Sequence, residues 1–184
     1  MPPVSRLYTG LGDSGSTDLL GGRVAKDDPR IEVLGDLDEA TSAAGLGRAL
    51  AQSARTKSLI EEVQRDLYRI MAELAFTDEV RPAGYNLAVE RVTWLESVTD
   101  EITAELNLPP SFILPGDTVS GAALDVARTV ARRAERAVVR LRNEGHVGNE
   151  QILRYLNRLS SLLFVLARLE DHEAGVTPQA AKVR

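Results

Sequence analysis

The sequence contains no cysteine. Disulfide bridges, thiolate metal sites and cysteine nucleophiles are therefore excluded. Only two histidines occur, His146 and His172, too few for a histidine-rich metal centre. No apolar run is long enough to cross a bilayer. The start, Met1-Pro-Pro-Val-Ser-Arg-Leu-Tyr8, has no apolar segment of the kind a secretory signal needs. The expectation is a cytoplasmic protein without a membrane partner. Excess positive charge is also missing: 22 basic against 27 acidic residues give a formal net charge of -5. Such a chain is a poor general binder of nucleic acid, which needs a basic footprint.

What is present suits one globular domain spanning 1–184. The length of 184 residues and a hydrophobic share of 43% allow a real core. Residues 1–35 stand apart. Gly10, Gly12, Gly15, Gly21 and Gly22 crowd a stretch with Thr9, Ser14, Ser16 and Thr17. This reads as a loop or arm and not as a helix. From Asp36 the period becomes helical, with Asp36 and Glu39 at capping-box spacing. A first helix runs to about Ser53. A second carries Leu59, Ile60, Val63, Leu67, Ile70, Met71 and Leu74 at i, i+3, i+4 spacing. A third carries Leu87, Val92, Leu95, Val98, Ile102 and Leu106, and the prolines after Asn107 break it. A fourth extends from about Thr118 to Asn143, and a fifth from about Asn149 to Glu170. The expected architecture is all-α: a five-helix antiparallel bundle over 36–171 behind the N-terminal arm, with a loose tail over 172–184.

Two short motifs in the arm fail on context. Gly10-Leu-Gly12-Asp-Ser-Gly15 matches the dinucleotide fingerprint G-x-G-x-x-G, but no strand precedes a helix within a βαβ unit. Gly12-Asp-Ser14-Gly15 resembles a serine-protease nucleophile loop, yet no histidine base or suitable scaffold accompanies it. No G-x-x-x-x-G-K-[ST] sequence exists. A glycine loop rich in hydroxyls still offers backbone N–H donors for a polyphosphate, with Lys26 as a nearby cation.

The fourth helix is the most informative segment. Arg128, Arg132, Arg136 and Arg140 recur every four residues and share one face. Val126, Val130, Ala134, Ala137, Val138 and Leu141 fall on the opposite arc. Like charges at i, i+4 cost a few tenths of a kcal/mol per pair unless anions or carboxylates meet them. The planar guanidinium suits phosphate and carboxylate. A solvated face laced to neighbouring acids explains the same pattern equally well. Glu135 sits where it could orient Arg128 or Arg132.

Several segments, taken in order, resemble one family. They are Arg6-Leu-Tyr-Thr9-Gly-Leu-Gly12-Asp13-Ser-Gly15-Ser-Thr17, Arg23-Val-Ala-Lys26-Asp27, Gly35-Asp-Leu-Asp38-Glu39 and Phe112-Ile-Leu-Pro-Gly116. Ala127-Arg128-Thr129, Arg132-Arg133-Ala134-Glu135-Arg136, Tyr155-Leu-Asn157-Arg158-Leu-Ser160 and Leu163-Phe164 follow. Together they are similar to the PduO-type ATP:cob(I)alamin adenosyltransferases. The resemblance implies a bundle of the ferritin-like, cobalamin adenosyltransferase-like kind. It implies a homotrimer with active sites between subunits, in which the arm wraps the triphosphate of ATP. Thr9, Gly10, Leu11, Gly12 and Thr17 match the ATP loop, and Lys26 matches a phosphate-contacting lysine. Arg132, Arg133, Glu135 and Arg136 match the helix face toward ATP, and Asn157 matches a nucleotide contact. Asp38 and Arg128 match a salt-bridged pair across the interface, and Phe112 matches an aromatic beneath the corrin ring.

The implied activity is transfer of the 5′-deoxyadenosyl group of ATP to cob(I)alamin or a related corrinoid, with Mg²⁺ carried on the phosphates and no protein metal site. A non-catalytic corrinoid carrier on the same bundle is the alternative. A corrinoid reductase and an adenosylcobalamin-dependent enzyme are implied partners. The sequence departs from the family pattern in places: Ala40-Thr41 stands for Leu-Asn after Asp38-Glu39, Asp117 replaces a glycine, Asp125 replaces a histidine, and Ser161 replaces an aspartate.

Overall fold

The computed structural model of the chain describes residues 8, 10–77, 80–106, 108 and 111–181. Thr9, expected in the ATP loop, lies outside the described residues. A short antiparallel hairpin comes first: β1 (Ser16–Leu19) and β2 (Gly22–Ala25), with Thr17 opposite Val24. Five helices follow: α1 (Pro29–Leu50), α2 (Ala54–Ala75), α3 (Val89–Glu105), α4 (Val119–Asn143) and α5 (Glu150–Glu173). The expected five-helix bundle is therefore observed.

Helix α1 starts earlier than its apolar period suggests. Asp28 caps it by accepting a hydrogen bond from the Arg30 N–H at 2.9 Å, and Pro29 occupies the first turn. Proline is pre-set for that position and lacks only an N–H that would have no partner. The boundary expected at Asp36 is thus corrected to Asp28, and the glycine-rich arm ends before it. Within the arm, the two residues Leu20 and Gly21 link the strands. Gly21 has φ of 126°, and a Cβ there would sit 2.6 Å from the Thr77 hydroxyl. Only glycine lets the hairpin lie so close to the end of α2. The Thr77 N–H donates to the Leu20 carbonyl at 3.0 Å and secures that contact.

Helix α1 packs on α2 and α4, α4 packs on α5, and α5 packs on α3. Three residues join α1 to α2, and six join α4 to α5, so these neighbours run antiparallel. The inward face of α1 is small: Ala40, Ala44 and Gly47 are buried. A Cβ on Gly47 would meet Leu124 Cδ2 at 2.7 Å, so α4 approaches α1 closely there. Leucines 37, 67, 95, 124, 156, 162 and 166 are fully buried, each contributing about 1.5–3 kcal/mol of transfer free energy. Val126 departs from the expected apolar arc of α4, being 54% exposed.

Three charged or polar groups between α2, α3 and α5 are held by one another. Asp66 accepts from the Tyr155 hydroxyl at 2.8 Å and from Arg91 Nε at 2.8 Å. Burial pushes the Tyr155 phenol well above its ordinary range, with the Asp66 charge acting in the same direction. Tyr155 thus stays a neutral donor. Arg91 stacks on Trp94 at 4.2 Å. The tail is not loose throughout. Leu114 N–H donates to the Gln179 carbonyl at 2.8 Å, and Ala181 N–H donates to the Phe112 carbonyl at 2.7 Å. Residues 179–181 therefore brace the loop between α3 and α4. Among the described residues no helix is long and apolar enough to cross a membrane.

Candidate active site

The hairpin presents the glycine turn. The Asp13 N–H donates to the Gly10 carbonyl at 3.2 Å, and the Gly15 N–H donates to the Gly12 carbonyl at 3.1 Å. Gly10 and Gly15 both have positive φ, 71° and 80°. Arg23 stitches the turn to the strands: its Nε donates to the Ser16 hydroxyl at 3.0 Å, and it also reaches Asp18 and the Leu11 carbonyl. Lys26 closes the ring. Its N–H donates to the Gly15 carbonyl at 2.9 Å, and its Nζ lies 3.1 Å from where a Gly12 Cβ would be. Among the described residues no carboxylate pairs with Lys26. Leu11 is exposed, and Thr17 is half-buried in β1. A free ammonium against a close-packed glycine turn is an arrangement that can receive phosphate oxygens.

A separate cleft of about 800 Å³ opens between α3, α4 and α5. Phe112, Ile113 and Pro115 form one lip, Asp125, Arg128 and Arg132 the floor, and Ser160, Ser161, Phe164 and Val165 the far wall. Thr99 and Thr103 complete the side on α3. Phe112 is 87% exposed, although its backbone is braced by Ala181. The volume falls in the range of sites for large organic ligands, and the lining mixes apolar side chains with hydroxyl and charged groups.

The arginine ladder divides into paired and unpaired members. Arg128 Nε bonds Asp125 Oδ1 at 2.9 Å. Arg133 bonds Asp36 at 3.5 Å and also Glu39, and Arg140 lies 3.8 Å from Glu32. Among the described residues neither Arg132 nor Arg136 meets a carboxylate; Arg136 Nη1 only donates to the Arg132 carbonyl at 2.9 Å. Those two remain available for an anion. Glu135 does not orient Arg128 or Arg132 as expected from helix geometry. It instead accepts from Asn157 Nδ2 at 3.0 Å, while Arg158 donates to Asn157 Oδ1 at 2.8 Å. Asn157 is thereby fixed from both sides.

The single chain brings Phe112, Arg128 and Arg132 into one cleft, and places Arg136, Glu135 and Asn157 nearby on the same face of α4 and α5. It does not bring the hairpin there: no hairpin residue lines that cleft. Asp38 lies on the other side, in an apolar groove of about 540 Å³ with Leu20, Ile31, Leu34, Tyr68 and Met71. Within one chain Arg128 pairs with Asp125 and not with Asp38. Sequence reasoning marked Asp125 only as a departure. Its role shows in the fold, where it also binds Arg168 Nη2 at 3.0 Å. The i, i+3 spacing of Asp125 and Arg128, and of Arg168 and Asp171, was the available signal.

One helical scaffold thus carries a glycine-turn hairpin, an arginine face and an open cleft edged by Phe112. The chain belongs to the cobalamin adenosyltransferase family, whose model matches residues 7–170. It is 39% identical to the corrinoid adenosyltransferase PduO of Salmonella typhimurium over 96% of this chain and 54% of that protein. It is 42% identical to PduO of Citrobacter freundii, covering 91% of this chain and 50% of that one. The chain thus spans about half the length of these two relatives. A corrinoid adenosyltransferase of Bacillus subtilis is 40% identical, with 93% and 89% covered. Two solved structures of variant PduO-type ATP:corrinoid adenosyltransferases from Lactobacillus reuteri, complexed with cobalamin and ATP, superpose with TM-scores of 0.87 and 0.90. They are 33% and 32% identical, covering 96% and 97% of this chain and 97% and 100% of theirs.

Proposed function

We propose that this chain transfers the 5′-deoxyadenosyl group of ATP to the cobalt of a reduced corrinoid. The observation that carries this reading is the juxtaposition of an exposed Phe112 with the unpaired Arg132 in one cleft, in a chain that belongs to the cobalamin adenosyltransferase family. Co(I) is the nucleophile. It attacks C5′, the C5′–O bond breaks, and triphosphate leaves with the electron pair. The protein's first task is to hold C5′ in line with cobalt. Its second is to stabilise charge on the departing triphosphate, which falls to Lys26, Arg132 and Arg136. Gly10, Leu11, Gly12 and Thr17 cradle the phosphates. Asn157, fixed by Glu135 and Arg158, contacts the nucleoside. Arg133, already tied to Asp36 and Glu39, braces α1 against α4. No general base is needed, because no proton moves at the reacting centre.

Mg²⁺ neutralises phosphate charge when bound. Hard oxygen ligands suit it, and it would be held through the phosphates and water. Phe112 fills the lower face of the corrin ring and keeps water and a lower ligand away, favouring the easily reduced cobalt. Since the hairpin and the cleft lie apart in one chain, a complete site needs the hairpin of one copy over the α4 face of the next. A homotrimer with sites between subunits meets that need, with Asp38 of one copy facing Arg128 of another. The reading places the reaction in the cytoplasm, with a reductase supplying the reduced corrinoid and an adenosylcobalamin-dependent enzyme consuming the product. The test is ATP-dependent loss of cob(I)alamin absorbance with matching formation of the adenosylated product and triphosphate. Corrinoid binding without product would leave a carrier and overturn the enzyme.

A further inference from the structure

Asp125 is only 5% exposed, yet it lines the cleft. Both of its oxygens are used. Oδ1 accepts from Arg128 Nε at 2.9 Å, and Oδ2 accepts from Arg168 Nη2 at 3.0 Å. Arg168 is 1% exposed and reaches Asp171 Oδ2 at 2.9 Å. Asp171 Oδ1 accepts from the Thr118 hydroxyl at 2.7 Å, and that hydroxyl caps α4. The result is a line of two arginines and two aspartates, neutral in sum, running from the start of α4 to the cleft. Arg168 also lies 5.6 Å from the ring of Phe164, part of the cleft wall.

Such a line does more than satisfy buried charge. An exposed arginine explores many rotamers, and ordering one costs side-chain entropy when a ligand arrives. Arg128 is gripped by Nε, so its two terminal NH₂ groups have a set direction. Among the described residues these groups make no other hydrogen bond. They are donors only: in the proposed assembly one can meet Asp38 of the next copy while the other matches a carbonyl oxygen of the amide side chains around a corrin ring. Resting on the proposed function, we infer that Asp125 is a positioning residue for the corrinoid: it pre-orients Arg128 at the cleft floor, anchored through Arg168 to the α4 cap. The ATP face, built from Lys26, Arg132 and Arg136, does not depend on it. A residue of purely structural weight would act on folding alone and would not separate the two substrates.

The experiment uses the whole chain and two binding measurements. Cob(II)alamin is titrated by its visible spectrum, and ATP binding is followed by calorimetry. Asp125→Asn keeps the volume and removes the charge. It should weaken cob(II)alamin binding about 10-fold, the size expected when one partner of a coupled network is lost, and leave ATP affinity within about 2-fold. In an Arg128→Ala background, Asp125→Asn should add no further loss. Equal losses in both backgrounds, or losses for both substrates, would overturn the inference in favour of packing. If Asp125→Asn does not fold, Arg128→Lys serves instead. Lysine cannot keep the Nε contact and still present two donors, so it too should lose about 10-fold; unchanged binding would overturn the inference. Wild-type protein that binds cob(II)alamin but makes no product would overturn the proposed reaction and leave this inference standing.

Discussion

Phe112 is among the most exposed large apolar side chains described, at 87%. Water-soluble surfaces carry single apolar residues without consequence, but this one sits on a loop braced by residues 179–181 at the mouth of a cleft. Its exposure simplifies a mutational test. Phe112→Ala should cost under about 0.5 kcal/mol of stability, as surface substitutions do, where a buried phenylalanine would cost several. ATP affinity should be unchanged. The rate should fall with a corrinoid that carries an intramolecular lower ligand, and fall much less with one that lacks it. Equal losses with both would reduce Phe112 to a loop residue. In the proposed reaction Arg132 serves the other substrate. Unpaired with any carboxylate among the described residues, it would meet the charge that develops as triphosphate leaves. Arg132→Ala should lower kcat about 100- to 1000-fold, by analogy with a lost oxyanion donor, with an unchanged melting temperature. Near-normal kcat at saturating substrates would remove Arg132 from the mechanism.

At the scale of elements, the start of α1 links fold to function, because it sets where the hairpin leaves the bundle. Asp28 carries this junction. Hydrogen bonds from the Arg30 side chain hold its carboxyl below the ordinary value of 3.8, against the effect of burial. Asp28→Ala should destabilise the protein by about 1 kcal/mol, the usual worth of a cap. Asp28→Asn keeps a good capping side chain and loses only the charge. A lowered folded pKa means that the unfolded chain binds the proton more readily. The charge contribution is therefore fully present above 3.8 and disappears as pH falls through the lower folded value. Melts followed by circular dichroism should show wild type above Asp28→Asn at neutral pH and the two converging in acid. A constant gap across that range would show that Arg30 adds nothing through charge. Asp171 has the opposite sign. Burial raises its carboxyl, so its ionisation weakens the fold as pH rises, and the nearby Arg168 and Thr118 offset this in part.

For the whole molecule, the question is which carboxylate governs Arg128. Inside one chain it is Asp125, at 2.9 Å. In the proposed assembly Asp38 of a second copy adds to it. Asp38→Asn and Arg128→Ala should each weaken assembly or activity, and the double mutant should lose less than the sum. Because Asp125 already holds Arg128, Asp38→Asn should cost less in corrinoid affinity than Asp125→Asn does. Light scattering gives the oligomer and the absorbance assay gives the rate. Strict additivity, or a monomeric wild type, would remove the pairing of Asp38 with Arg128.

Helices α2 to α5 were legible from sequence because an apolar stripe at 3.6-residue spacing has one good solution: burial against another stripe. The arginine ladder was legible for the same reason of period. The start of α1 was obscured, since the glycines before it suggested a loop while its cap and first-turn proline lay within that loop. The hairpin was also missed, although Gly21 between Thr17-Asp-Leu19 and Val24 was a usable turn signal. Other features had no local trace. The backbone pairing of 179–181 with 112–114 involves no diagnostic side chain. Asp125 and Arg168 are 43 residues apart and meet only because α4 packs on α5. Sequence alone determined the family, the helices and which side chains can meet an anion, because residue type and period carry that information directly. Tertiary structure alone decided which arginines are already neutralised, that Phe112 is bare, and that hairpin and cleft lie apart, because pairing and exposure depend on what the packed neighbours bring within a few ångströms.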